Sequence, residues 1–223
     1  MWISLAQAFL IALGSGLLFG ILTGLAVRQR LGQCYSFSVY LVAVLLPQVL
    51  EALWPERFYT RDVWLAKETL HHVLKIAIVL ELTARTVAVF PGARRTAQGA
   101  LLGTLLLAFG ALVTAGRRPE YVSIYTDLLP RAVSGTVWLF CVLGFVILWY
   151  RLPVRPLHKA ILLGFVVYLL MYAASMAVIG FVGWHTRAAM NLASGAIYTT
   201  LQIYWLWAAW RPAQTGELEA GVA

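Results

Sequence analysis

Apolar runs of about 20 residues, each closed by a short polar break, recur from one end of this 223-residue chain to the other. At 1.5 Å per residue such a run crosses the roughly 30 Å hydrocarbon core of a bilayer as a helix. Composition agrees: 61% of residues are hydrophobic and 12% charged, against roughly 45–50% and 25% in a soluble domain. The expected fold is therefore all-α: a polytopic integral membrane protein with seven transmembrane helices in one bundle. They are placed at about 2–27, 34–54, 63–90, 96–116, 132–151, 159–183 and 187–211, with a short polar tail at 212–223.

The first run could be taken for a signal peptide. No basic residue precedes it, it exceeds the usual 7–15-residue apolar core, and Arg28 and Arg30 follow at once. It reads as a retained helix. Orientation follows from basic residues in the breaks. The first, third and fifth breaks and the tail hold Arg28, Arg30, Arg94, Arg95, Arg151, Arg155, Lys159 and Arg211, against six basic residues in the second, fourth and sixth. The expected topology has the N-terminus outside and the C-terminus in the cytoplasm, in a bacterial-type inner membrane.

The net charge of +8 does not point to nucleic acid, because the basic residues sit singly or in pairs at the ends of apolar runs. The partners expected are the lipid bilayer and a cytoplasmic or membrane protein. Two cysteines, Cys34 and Cys141, make neither a disulfide framework nor a C-x-x-C site.

The third segment breaks the apolar rule. It carries Lys67, Glu68, His71, His72, Lys75, Glu81 and Arg85, and ionisable groups at membrane depth are functional candidates by default. At 100° per residue, Glu68, His71, His72 and Lys75 fall within an arc of about 100°. Glu81 and Arg85 point elsewhere and are spaced as an acid-before-base pair. The polar face reads as a ligand-binding or proton-responsive site, with Glu51 of the second segment as a further member or as a partner for Lys75. Asn191, Thr199, Thr200 and Gln202 of the seventh segment would complete a cavity if the two helices are neighbours. Internal neutralisation that merely docks the helix is the plainer account of the same residues.

Other features bear on packing. Gly16, Gly20 and Gly24 form a small-residue stripe suited to close helix approach. Pro47 removes one helical hydrogen bond from the second segment. Tyr121, Ile124, Tyr125 and Leu128 have the spacing of an interfacial helix. Tyr204, Trp205, Trp207 and Trp210 with Arg211 read as an aromatic belt and basic anchor.

A sensor, receptor-like or accessory membrane subunit fits these features first, and a small-solute transporter or channel second. Matching halves with broken helices, which mark many transporters, are not evident. A metal or haem site comes third, because Glu68-x-x-His71 occurs once and di-iron bundles need two such motifs; a zinc site would have to recruit His185. No metal ligand set and no cofactor is assigned. An enzyme comes last, since no nucleophile–base constellation is visible. The seventh segment has no lysine for a retinal Schiff base, and LELTARTV and NLASGAIYTT lack the motifs of G-protein-coupled receptors.

Overall fold

The computed structural model describes residues 5–58, 60–87, most positions from 135 to 147, and 154–212. The segment 96–116, the stretch from Tyr121 to Leu128, the break at Pro91–Gly92 and the tail beyond Pro212 lie outside the described residues. Every described element is helical, and the chain direction changes where the local chemistry requires it. α1 (Leu5–Val27) ends in a turn built on Gln29, whose φ of 55° is left-handed. Gln29 N–H bonds the Ala26 carbonyl and Arg30 N–H the Leu25 carbonyl, the paired bonds of a Schellman cap. A 3₁₀ turn, Leu31–Gln33, leads into α2 (Tyr35–Leu53), which keeps Pro47 inside it. A one-turn helix, α3 (Pro55–Phe58), precedes α4 (Arg61–Val87). α5 (Pro156–Val182) starts on a proline, whose fixed φ suits the first helical position. It stops at Gly183, whose φ of 110° an L side chain rarely adopts. The 3₁₀ turn Trp184–Thr186 then opens α6 (Arg187–Trp210).

The helices form the row α4–α2–α1–α6–α5, which curls so that α4 touches α5. Side-chain register fixes directions. Ser15 donates to Gln48 Oε1 at 2.9 Å, and Lys67 reaches Glu51 at 2.6 Å, so α2 is antiparallel to both α1 and α4. Gly195 lies against Leu10, Gln202 against Gly14 and Trp210 against Gly20 and Gly24, so α6 runs parallel to α1. Trp205 meets Ala160 while Ser194 meets Ser175, so α5 is antiparallel to α6.

The core is aromatic. Phe37, Phe165 and Trp205 interlock at centroid separations of 5.1–6.2 Å, and Phe140, from the apolar helix Gly135–Phe145, stacks on Phe165. Trp205 is 1% exposed and its indole N–H donates to the Ala160 carbonyl at 3.1 Å. A methyl group at Gly164 would overlap that indole, so only glycine lets α5 approach it. Trp205 is thus a core residue and not part of the expected belt; Trp207 and Trp210 remain outside, Trp207 stacked with Tyr204. The small-residue stripe is also displaced. Successive four-residue steps drift about 40° round a helix, so the three glycines fan from buried Gly24 through Gly20 to exposed Gly16. Gly24 meets Trp210, Gly20 meets Leu206, and nothing lies within 4 Å of a methyl built at Gly16; Gly14, against Gln202, is the further contact.

Among the described residues, three helices are long and apolar enough to cross a membrane: Phe9–Val27, Tyr35–Leu53 and Pro156–Ile179. Their outward faces are apolar, with Phe19 66% and Leu163 50% exposed, while histidine, lysine and glutamine of the neighbouring helices are buried within. That inversion suits a lipid surround and not water. α4 and α6 have comparable length, but their polar residues keep them below that composition.

Candidate functional site in the bundle interior

The polar residues of α4 form two stripes rather than one face. Lys67, His71, Glu81 and Arg85 lie on the flank towards α2, and each is bonded to α2 or to the turn before it. Lys67 Nζ is 2.6 Å from Glu51 Oε1. Pro47 has no N–H to give the carbonyl four residues back, which is that of Ala43. His71 Nε2 donates to that carbonyl at 3.1 Å, with its ring edge-on to Tyr40. The neighbouring helix thereby supplies the donor the proline removed, as membrane helices require. At the other end Glu81 accepts the N–H groups of Tyr35 and Ser36 at 2.9 and 2.7 Å. α2 has no side-chain cap of its own, so a carboxylate from α4 caps it and meets the positive end of its dipole. Arg85 holds Glu81 at 2.7 Å and donates to the Gly32 carbonyl at 2.8 Å.

Glu51 therefore does not pair with Lys75. Glu51 is level with Lys67, Ala43 with His71 and Tyr35 with Glu81. The residue level with Lys75 is near Leu41, about 15 Å along α2 from Glu51. His71, likewise, is separated from the face assigned to it and engaged with backbone.

The second stripe, Glu68, His72 and Lys75, points into the bundle. His72 is 8% and Lys75 6% exposed. His72 Nε2 is 3.9 Å from Glu68 Oε2, too long for a hydrogen bond, and its Nδ1 is buried with no partner among the described residues. Among those residues no carboxylate lies within 4 Å of Lys75 Nζ. The Lys75 amine sits 5.5 Å from the centre of the Tyr168 ring on α5, a cation–π distance. Tyr168 in turn packs on Tyr198 of α6 at 5.1 Å. The Tyr198 hydroxyl is within reach of Tyr40 and Gln202, at the margin of hydrogen-bond geometry, and among the described residues neither it nor the two buried polar atoms of the Gln202 amide makes a well-formed hydrogen bond. A polar seam thus crosses the bundle from α4 through α5 and α6 towards Gly14 of α1.

No family model, curated protein or solved structure matches this chain. Its chemistry must be read from the seam itself. An unmade hydrogen bond at a buried polar group costs about 1–3 kcal/mol, and among the described residues four atoms on His72, Tyr198 and Gln202 lack a well-formed one. They include donors and acceptors, so a small polar molecule, ordered water or a relayed proton could be held between them. Among the described residues no group of three or more His, Cys, Asp or Glu is arranged around one point.

Of the α6 residues expected to face α4, Gln202 is fully buried in the seam. Thr199 is buried beside it but donates to the Gly195 carbonyl of its own helix. Asn191 and Thr200 are exposed, and Thr200 donates to the Ala196 carbonyl. His185 is exposed in the turn before α6, remote in sequence register from the seam. Tyr40, Tyr168 and Tyr198 were not singled out in the sequence, because tyrosine in an apolar helix has no distinguishing pattern. His158 is buried in the first turn of α5 and donates to the Gln33 carbonyl at 2.7 Å, pinning α5 to the turn before α2.

Proposed function

We propose that this chain is a sensor, receptor-like or accessory membrane subunit whose seam of His72, Lys75, Tyr198 and Gln202 holds a small polar ligand or a proton. The observation that carries this reading is the set of buried polar atoms along the seam that lack a well-formed hydrogen bond among the described residues. The flank of the same helix, where every polar group is bonded, shows that the fold can satisfy such groups where it only needs to dock.

A seven-helix bundle with the N-terminus outside fits the directions of the described helices. α4 and α5 run in opposite senses, so an even number of crossings joins them. The expected segments at 96–116 and 132–151 would supply two. Basic Arg28, Arg30, Arg155, Lys159 and Arg211 all belong to the end where α1 and α6 finish and α5 begins, which fits a cytoplasmic face in a bacterial-type inner membrane.

Native mass spectrometry of the nanodisc-purified protein, run with elemental analysis, tests the reading. The expected result is a retained small polar molecule that Lys75→Met and Gln202→Met both release. A proton-responsive site would instead carry no mass but give pH-dependent protection of seam amides, abolished by Lys75→Met. A bare wild-type chain whose seam amides show no pH response would leave docking as the seam's role and end the proposal.

A further inference from the structure

We propose that the basic cleft where α1 and α6 end and α5 begins binds a phosphate-bearing anion, supplied by an anionic lipid headgroup or by a soluble phosphate compound. The cleft is remote from the seam and does not depend on its function. Its volume is about 310 Å³, at the lower end of the roughly 300–1,000 Å³ of small-molecule sites.

Three cations line it, Arg30, Lys159 and Arg211, from parts of the chain more than 50 residues apart; among the described residues no carboxylate does. Each is placed by local structure. The left-handed Gln29 of the Schellman cap turns Arg30 back over the end of α1, where it is 7% exposed and reaches the Ala208 carbonyl of α6 at 3.4 Å. That contact occupies one of the last α6 carbonyls, whose partial negative charge would otherwise oppose an anion. Lys159 stands in the first turn of α5, beside the positive end of that helix. Arg211 lies 4.9 Å over the Trp207 ring, which fixes its guanidinium at the rim.

Single basic residues at helix ends commonly reach for headgroups independently. A buried arginine cannot do so, and three like charges around one concavity focus field towards whatever anion enters. The Arg211 guanidinium offers the planar fork that matches phosphate oxygens, Lys159 adds a compact point charge, and buried Arg30 adds its positive field from behind. Tyr204 and Trp207 at the cleft suit the headgroup level of a bilayer, which is where a lipid phosphate would be presented.

The test uses the full chain in detergent and native mass spectrometry. Dioleoylphosphatidylglycerol, dioleoylphosphatidylcholine and inorganic phosphate are titrated separately onto the wild type, Lys159→Glu, Arg211→Glu and the charge-conserving Lys159→Arg. Removal of one interfacial cation is expected to weaken anion binding about fivefold, and reversal more. Phosphatidylglycerol retained at least about fivefold better than phosphatidylcholine, with the preference lost in both glutamate variants and kept in Lys159→Arg, supports the lipid source. Variant-sensitive binding of inorganic phosphate without lipid preference supports the soluble source. Equal retention of both lipids with phosphate binding indifferent to the variants overturns the proposal. So does loss of binding in Lys159→Arg equal to that in Lys159→Glu, since charge would then not be the cause.

Discussion

Two stripes on one helix, a quarter-turn apart, handle the same residue types in opposite ways. On the α2 flank of α4, Glu81 accepts two backbone N–H groups and an arginine, His71 serves a carbonyl that Pro47 orphaned, and Lys67 meets Glu51. On the interior stripe, His72 and Lys75 are more deeply buried and less bonded, and the groups they lead to on α6 make no well-formed hydrogen bond among the described residues. Burial without pairing is the costlier arrangement. The fold therefore spends its hydrogen bonds where helices dock and withholds them where the seam runs. What distinguishes the two stripes is pairing, not composition.

If the flank is a docking device, its removal must cost stability. Glu81→Ala uncaps α2 and leaves Arg85 without its carboxylate, and a loss of about 3 kcal/mol is expected. Thermal unfolding in detergent measures it. A change below about 0.5 kcal/mol would mean that the cap is idle and that the contrast between the stripes has no energetic content. His71→Leu comes next, at about 2 kcal/mol, because it strands the Ala43 carbonyl in the bundle. The Pro47→Ala background sharpens this case. Alanine restores an N–H to bond Ala43 within α2, so most of the His71→Leu penalty should disappear there in a double-mutant cycle. An unchanged penalty would show that His71 matters for some reason other than the proline.

The apolar runs and the anomalous third segment were legible because each depends on local spacing alone. The arc of Glu68, His72 and Lys75 is also local geometry, and it is the buried arc of α4. What sequence could not supply was register between helices. Whether Glu51 meets Lys67 or Lys75 depends on how far α2 slides against α4, and no periodicity encodes that distance. His71 was grouped with its neighbour because 100° of helical rotation is narrow enough to look like one face, yet wide enough to reach a different helix. Pro47 did carry a usable signal: its orphaned carbonyl demanded an outside donor, and a histidine on the adjacent segment was available. The basic cleft was legible only as a shared membrane side: Arg30, Lys159 and Arg211 fall in breaks assigned to the same face, but nothing local in the sequence brings them round one concavity.

The interior stripe should answer substitution with the opposite sign. Lys75→Met keeps the length of the side chain and removes an amine that no carboxylate approaches within 4 Å among the described residues. Apolar replacement of poorly paired buried ions is commonly neutral or stabilising, and a gain of about 1–2 kcal/mol is expected together with loss of any retained ligand. Destabilisation comparable to that of Glu81→Ala would place Lys75 among the docking residues and merge the two stripes.

Tyr198→Phe is the smallest and the cleanest of these changes. It deletes one oxygen atom, keeps the ring that packs on Tyr168 and Trp205, and leaves no cavity large enough to matter. An unpaired buried hydroxyl is a cost, so its removal should raise stability by about 0.5–1 kcal/mol. The same substitution would lower stability by about 1 kcal/mol if the hydroxyl had a firm partner in the folded protein. The sign therefore separates the alternatives where magnitude could not. A positive shift in the purified protein that vanishes or reverses once a ligand occupies the seam would mean that the Tyr198 hydroxyl bonds that ligand. A negative shift under all conditions would mean that Tyr198, like His71, belongs to the packing.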